Sequence, residues 1–264
     1  MFNTNKTLKA HGAELASRGV SIEMLAKLQG FEDKDWLDQC AAVMLARLNN
    51  QAESELTTLV ENNHAWARVI MGTNFLGLEE VEKAFGVKYT ANQRQQLATI
   101  PFDEATLKAC ADTHVLIAGF PMSINDIRKS KNVKGNAAKL FDSLFGNVWY
   151  EQQSFANVSV EVRWFLLRKK PIDQSTSKTY EEQYRLIPQG EENSWARDVV
   201  FATIVLFLTA GERLYKSVYV RCKDVSTDGN RVYIGYFDRF GMGFLSYWGG
   251  DRIDCLAVCS VRNP

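Results

Sequence analysis

A serine and a lysine stand at a spacing that one class of enzymes uses for nucleophilic catalysis. Ser175-Thr176-Ser177-Lys178 matches the pattern Ser-x-x-Lys, which on a helix places both side chains on one turn, where the amine can accept the hydroxyl proton. The accompanying motifs are missing, because the chain has no Lys-Thr-Gly, and Ser123-Ile124-Asn125 precedes the serine instead of following it. The segment is better interpreted as a polar loop that leads into a helix, with Ser177 or Thr179 as the cap.

Charged and aromatic side chains gather on the predicted strands of the C-terminal half. If Val220 and Cys222 face the core, Arg221 faces away from it, and a sheet face that also carries three tyrosines could bind an anion or a polymer. Ordinary cross-strand pairing is the competing explanation. The tyrosines are Tyr219, Tyr233 and Tyr247. The candidate binding residues are Arg168, Lys178, Glu182, Gln183, Arg221 and Asp238.

Two alternative functions have their own residues. Glu161, Glu182 and Asp238 could serve a hydrolase or nuclease with a dispersed carboxylate site. The basic stretch 128–139 precedes several aromatic residues, and charge combined with stacking is how single-stranded nucleic acids are held. The helical spacing of these aromatics favours a place in the core. They are Phe141, Phe145, Trp149 and Tyr150.

Metal and nucleotide chemistry find little support in the sequence. The five cysteines include no Cys-x-x-Cys, and their odd number favours free thiols in a reducing compartment. Cys255 and Cys259 fall on one predicted strand and are interpreted as buried thiols. Only three histidines occur, so neither a metal site nor a cofactor is expected. Gly241-Met242-Gly243 lies between two predicted strands and lacks the third glycine of a dinucleotide-binding loop.

Composition gives no whole-molecule drive toward nucleic acid or an anionic membrane. Lysine plus arginine and aspartate plus glutamate both number 31, so the net charge is zero. The most apolar run, 199–210, has 12 residues, whereas a membrane-spanning helix needs about 20. We therefore expect a buried core helix and a cytoplasmic location.

The elements divide into a helical N-terminal part and a β-rich C-terminal part. Apolar stripes predict an αα-hairpin over 33–49 and 53–71. Strands are predicted at 115–120 and 158–168, and a long apolar helix at 194–214. A four-strand meander follows, with turns that include Asp228-Gly229-Asn230. Its strands are predicted at 217–225, 230–238, 242–248 and 253–261.

Two groups of segments resemble a set of bacterial and phage proteins to which no activity is attached. The resemblance covers about residues 80–264, implies a bacterial or phage source, and carries over no catalytic residue. The first group runs from Ile100-Pro101-Phe102 through His114-Val115-Leu116-Ile117 to Met122-Ser123-Ile124. The second comprises 164–183, Tyr219-Val220-Arg221 and Gly235-Tyr236-Phe237-Asp238.

The sequence thus predicts an α+β protein with a helical module at 1–75 and a domain at 76–264, in which 128–139 is a basic linker or loop. The predicted function is non-catalytic binding of another protein, or self-association through the N-terminal helices, without a cofactor.

Overall fold

The computed structural model describes residues 64–136, 140–141 and 148–264, all within one compact unit, Val60–Pro264. The predicted helix 33–49 and most of 53–71 therefore lie outside the described residues. Where the description begins, residues 64–71 are helical.

Seven α-helices have complete bounds in the described ranges, and side-chain caps begin four of them. Thr90, Asp103, Ser123 and Thr179 each accept a hydrogen bond from the backbone N–H three residues later, which satisfies a donor at the helix start. The helices are α1 (Leu78–Phe85), α2 (Ala91–Gln96), α3 (Glu104–Cys110), α4 (Ile124–Lys129), α5 (Lys131–Lys134), α6 (Tyr180–Tyr184) and α7 (Ala196–Ala210). Short 3-10 helices span Gly72–Asn74, Trp149–Gln152 and Ser154–Asn157.

The strands of the described residues form two sheets, and the α+β class is confirmed. One sheet has the order β1-β2-β3-β9-β4, and the other has the order β7-β6-β5-β8. Antiparallel pairing dominates both, and only β1 with β2 and β5 with β8 run parallel. The strands are β1 (Phe75–Leu76), β2 (His114–Ala118), β3 (Trp164–Arg168), β4 (Glu192–Asn193), β5 (Tyr219–Val225), β6 (Arg231–Asp238), β7 (Gly241–Tyr247), β8 (Leu256–Val258) and β9 (Ser260–Arg262).

The predicted meander is correct for three strands and wrong for the fourth. β5, β6 and β7 follow one another as expected, but the segment 253–261 is divided. β8 returns to the far side of β5, and β9, after Cys259 alone, enters the other sheet between β3 and β4. Every residue from 256 to 261 is buried, as befits a segment that belongs to two sheets and is covered on both faces.

The predicted strand 158–168 is also too long. Only Trp164–Arg168 pairs as β3, and the preceding residues form a connection that follows the Ser154–Asn157 turn. Val160 donates its backbone N–H to Met122 O at 3.0 Å, outside any strand. The alternation of residues 158–163 thus reflects packing of a loop against the core.

Helix α7 is the centre of the core. All residues from Ala196 to Leu206 are buried, and the helix packs on β5 and β6 of one sheet, on β3 of the other and on α1. It ends earlier than predicted, because Gly211 takes a left-handed conformation with φ +71°. Part of the basic stretch 128–139 is likewise helical instead of a loop, with Val133 of α5 buried.

Candidate binding surface

Helix α6 lies on the outer face of the four-stranded sheet. Tyr180 N–H donates to Gly249 O at 2.8 Å, which attaches the start of α6 to the loop after β7. Gln183 is fully buried, and its Nε2 donates to Ser175 O at 2.8 Å and to Leu256 O at 3.0 Å. One amide therefore ties α6 to the loop before it and to β8.

Arg221 of β5 is buried beneath this helix. Its Nη1 donates to Gln183 Oε1 at 3.1 Å and its Nη2 to Asp251 O at 3.0 Å. Longer contacts of 3.4 Å reach the backbone oxygens of Lys178 and Gly249. No carboxylate of the described residues lies in ion-pair range of Arg221, so its guanidinium donates to carbonyl oxygens instead.

The prediction of an exposed Arg221 is wrong. It lies on the outer face with Tyr233, whose ring centroid is 5.3 Å from the guanidinium carbon, but it has no exposed surface. Helix α6 and the loop after β7 cover the face at this point, a tertiary contact that strand alternation does not reveal. Lys178 and Gln183 do come together with Arg221, Lys178 through its backbone oxygen.

Beside the buried arginine lies a set of aromatic side chains that we call the aromatic face. The Arg231 guanidinium carbon stands 3.9 Å from the centroid of Tyr180, whose ring lies 6.2 Å from that of Tyr184. Tyr247 is opposite Arg231 in the sheet and stacks on Tyr233 at 5.8 Å. The aromatic face consists of Tyr180, Tyr184, Arg231, Tyr247 and Trp248.

The aromatic face is open to solvent. Tyr184 is 55% exposed, Tyr247 47% and Trp248 68%, and Leu186 just beyond α6 is 37% exposed. Large exposed apolar side chains elsewhere in the described residues are single valines, and scattered side chains of that kind are normal on a protein surface. Tyr184 and Tyr247 are different, because the ring of Tyr184 contacts that of Tyr180 and the ring of Tyr247 stacks on Tyr233, and contiguous apolar patches mark interaction sites.

The predicted dispersed carboxylates do not meet. Glu182 accepts from Thr179 N and pairs with Arg252 at 2.7 Å. Asp238 Oδ1 accepts from Phe240 N at 2.7 Å within the β6–β7 turn. Glu161 pairs with Arg163 and Arg197. The three share no partner among the described residues, so each has a structural contact of its own.

Arg168, the remaining predicted residue, belongs to a buried charged cluster in the five-stranded sheet. It binds the Glu191 carboxylate through Nη2 at 3.0 Å and Nε at 3.3 Å, and Ser260 Oγ donates to the same carboxylate at 2.5 Å. His114 Nε2 lies 3.5 Å from Glu191 Oε1. Burial opposes ionisation of Glu191, but contacts from His114, Ser260 and Arg168 outweigh it and lower its pKa to about 2.

A second charged cluster lies at the start of α7. Asp198 is fully buried and its Oδ2 pairs with Arg163 Nη2 at 2.8 Å. Arg197 Nε lies 3.9 Å from Asp198 Oδ1. Burial raises the pKa of Asp198 to about 6 although both arginines act in the opposite direction. The free-energy cost of desolvating the ionised Asp198 carboxylate thus exceeds the stabilisation that it receives from the two arginines.

The aromatic residues after the basic stretch face inward where they are described. Tyr150 is buried and stacks on Phe244 at 4.0 Å, and Trp149 Nε1 donates to Phe244 O at 2.9 Å. Phe141 also stacks on Phe244, at 5.8 Å. Phe145 lies outside the described residues. The three described rings thus pack in or against the core instead of forming an exposed stacking surface.

Ser175 is a structural residue. Its Oγ donates to Ile172 O at 2.6 Å and accepts from Val258 N at 3.2 Å. In the described part of the chain, no three His, Cys, Asp or Glu residues form a group that could hold a metal ion. The helices described there include none long and apolar enough to cross a membrane.

The sequence pointed to the region of the aromatic face but missed most of its members. Arg231 could have been found, because it shares strand parity with Tyr233. Trp248 could also have been found, since a large aromatic next to Gly249-Gly250 lies in a turn and loops run over the surface. Tyr184 gave no such signal. Comparisons of the chain with protein-family models, with curated proteins and with solved structures find no match.

Proposed function

We propose that this protein is a non-catalytic binding protein that holds another protein on the aromatic face. The observation that carries the proposal is the exposure of Tyr184 and Tyr247 on a face joined by the contact of Tyr180 with Arg231, with Leu186 and Trp248 exposed in the adjoining segments. Tryptophan, tyrosine and arginine are the residues most often responsible for affinity in protein interfaces.

The charges at the rim favour a protein over a polyanion. Lys178 and Arg252 are accompanied there by Glu181 and Glu182, so the rim has no dominant sign. Nucleic acid binding draws most of its affinity from lysine and arginine contacts to phosphates. A mixed polar rim around an aromatic centre is the usual anatomy of a protein interface.

Rigid support is the second argument for a binding role. Arg221 and Gln183 fix α6 and the loop after β7 to the sheet, so the backbone that carries the aromatic side chains is positioned before any partner arrives. A preformed surface loses less conformational entropy on association than a mobile one.

Site-specific photocrosslinking tests the proposal. A photoreactive phenylalanine analogue is placed at Tyr184 or Trp248 and, as matched controls, at the exposed Val158 or Val225, and cells producing the protein are irradiated. We expect a discrete adduct with one other protein from the first two positions and none from the controls. Equal adducts from all four positions, or none, would contradict the proposal. An adduct with only a second copy of the chain would contradict the assignment of a different partner.

A further inference from the structure

A cavity of about 360 Å³ lies between helices α1 and α5. Lys83 and Lys131 line it, Asn132 and Asn136 contribute amides, and Leu208 of α7 contributes apolar surface. Asn132 Nδ2 donates to Lys83 O at 2.8 Å, which fixes α5 against the end of α1. The volume falls in the range of small-molecule sites, roughly 300 to 1,000 Å³.

Positive charge predominates around this cavity. Neither Lys83 nor Lys131 has an ion pair among the described residues, and both are exposed. Two carboxylates of α1 are engaged, Glu80 with Arg68 at 2.6 Å and Glu82 with Arg94 at 2.5 Å, whereas Glu79, one turn before Lys83, forms no ion pair among the described residues. Two lysines beside the single carboxylate of Glu79 leave a local excess of positive charge, although the chain as a whole is neutral.

The chemistry of the lining selects the class of ligand. We propose that this cavity binds the phosphate group of a small phosphorylated molecule. Two ammonium groups without an ion pair match a phosphate monoester, which carries a charge of about −1.5 to −2 at pH 7. Amide groups can add hydrogen bonds to phosphate oxygens, and Ala84 with Leu208 offers apolar contact to the rest of the molecule.

A nucleic acid strand fits the cavity less well. The described residues that line it include no aromatic side chain, whereas single strands are held by stacking of successive bases on aromatic rings. The site also shares no residue with the aromatic face, so it is independent of the proposed protein interaction.

Calorimetric titration of the full chain at low salt tests this inference. The probes are inorganic phosphate, glycerol 3-phosphate with glycerol as its uncharged counterpart, and a single-stranded oligonucleotide. The double variant Lys83→Gln/Lys131→Gln is compared with Lys170→Gln/Lys216→Gln, which removes the same charge from exposed lysines elsewhere. Thermal unfolding without ligand establishes that both variants fold.

We expect phosphate and glycerol 3-phosphate to bind, glycerol not to bind, and affinity to fall at least tenfold in the first variant but not in the second. An equal loss of affinity in both variants would mean that binding depends only on net charge, and this would overturn the proposal. Absence of binding to either phosphate would do the same. Binding of the oligonucleotide alone, steeply weakened by salt, would overturn it in favour of a nucleic acid surface.

Discussion

At the scale of single residues, Arg221 holds together the segments that form the aromatic face. Removal of its guanidinium leaves the buried Gln183 Oε1 and the partly buried Asp251 O without this donor. Unpaired buried polar groups cost about 1 to 3 kcal/mol each. The face should therefore lose both stability and definition when this one side chain is shortened.

We expect Arg221→Met to lower the free energy of unfolding by about 3 kcal/mol. Arg252→Met is the matched control, because Arg252 is exposed and pairs only with Glu182, and such a pair contributes about 1 kcal/mol or less. Urea denaturation measures both values. Similar losses of unfolding free energy in the two variants would mean that the contacts of Arg221 with Gln183 and Asp251 do not stabilise the fold in this way.

Glu191 should make the protein sensitive to acid. Its pKa in the folded protein is about 2, below the usual 4.5, so its ionised form stabilises the fold above pH 4.5. That contribution is lost as the pH falls from 4.5 toward 2. Glu191→Gln should therefore be strongly destabilised at pH 7, and its difference from the parent protein should shrink in acid. Chemical denaturation at a series of pH values would show a constant difference if Glu191 had no such role.

Asp198 should have the opposite effect on the pH dependence of stability. Its pKa is raised from 3.8 to about 6, so the stability associated with its protonated form is complete below pH 3.8 and lost as the pH rises through 6. Asp198→Asn should remove this decline. The same denaturation series measures it, and an unchanged slope between pH 4 and 6 would show that Asp198 does not titrate there.

At the scale of elements, close approach between strands explains two glycines of the outer sheet face. A Cβ on Gly235 would stand 2.2 Å from Val218 O, and one on Gly243 would stand 2.7 Å from Tyr219 Oη. The first contact involves backbone and cannot be relieved by a rotamer change. Gly235 is therefore fixed by the pairing of β5 with β6.

We expect Gly235→Ala to cost about 2 to 3 kcal/mol of stability, because β5 and β6 must move apart. Gly229→Ala serves as the control. That position has nothing within 4 Å of the added carbon and only the strain of φ +84°, so its cost should stay near 1 kcal/mol. Thermal unfolding distinguishes the two, and equal shifts would contradict the steric explanation.

Much of this local architecture was predictable from the sequence. The caps Thr90, Asp103, Ser123 and Thr179 identify helix starts because their side chains satisfy backbone donors nearby. The Asp228-Gly229 turn follows from the left-handed conformation that glycine tolerates. Arg221 shows where such reasoning ends. Alternation gave the face it lies on, but its burial depends on α6, about 40 residues earlier in the chain, which no local pattern reports.

At the scale of the whole molecule, the two sheets share a single core around α7 and are joined at Cys259. Its Sγ lies 2.8 Å from Tyr215 Oη, which also donates to Arg168 O. Burial raises the pKa of the Cys259 thiol to about 11. The interpretation of both Cys255 and Cys259 as buried thiols is correct for Cys259 and wrong for Cys255, which is half-buried.

Thiol labelling tests whether the two sheets unfold together. We expect Cys255 to react with a thiol reagent in native buffer. The buried Cys110, Cys222 and Cys259 should become reactive over one common range of urea concentration, because exposing any of them requires global unfolding. Mass spectrometry assigns each site. Labelling of Cys222 at lower urea than Cys110 would show that the four-stranded sheet opens separately.

The position of β9 also has a consequence for how the chain reaches this fold. β9 lies between β3 and β4 in the five-stranded sheet, yet it follows both of them in sequence by many residues. During synthesis, β3 and β4 therefore lack their shared pairing partner until residues near 260 leave the ribosome. Pairings between distant segments slow folding, and an unpaired strand edge invites aggregation. Nascent chains that stop before β9 should need chaperones to remain soluble.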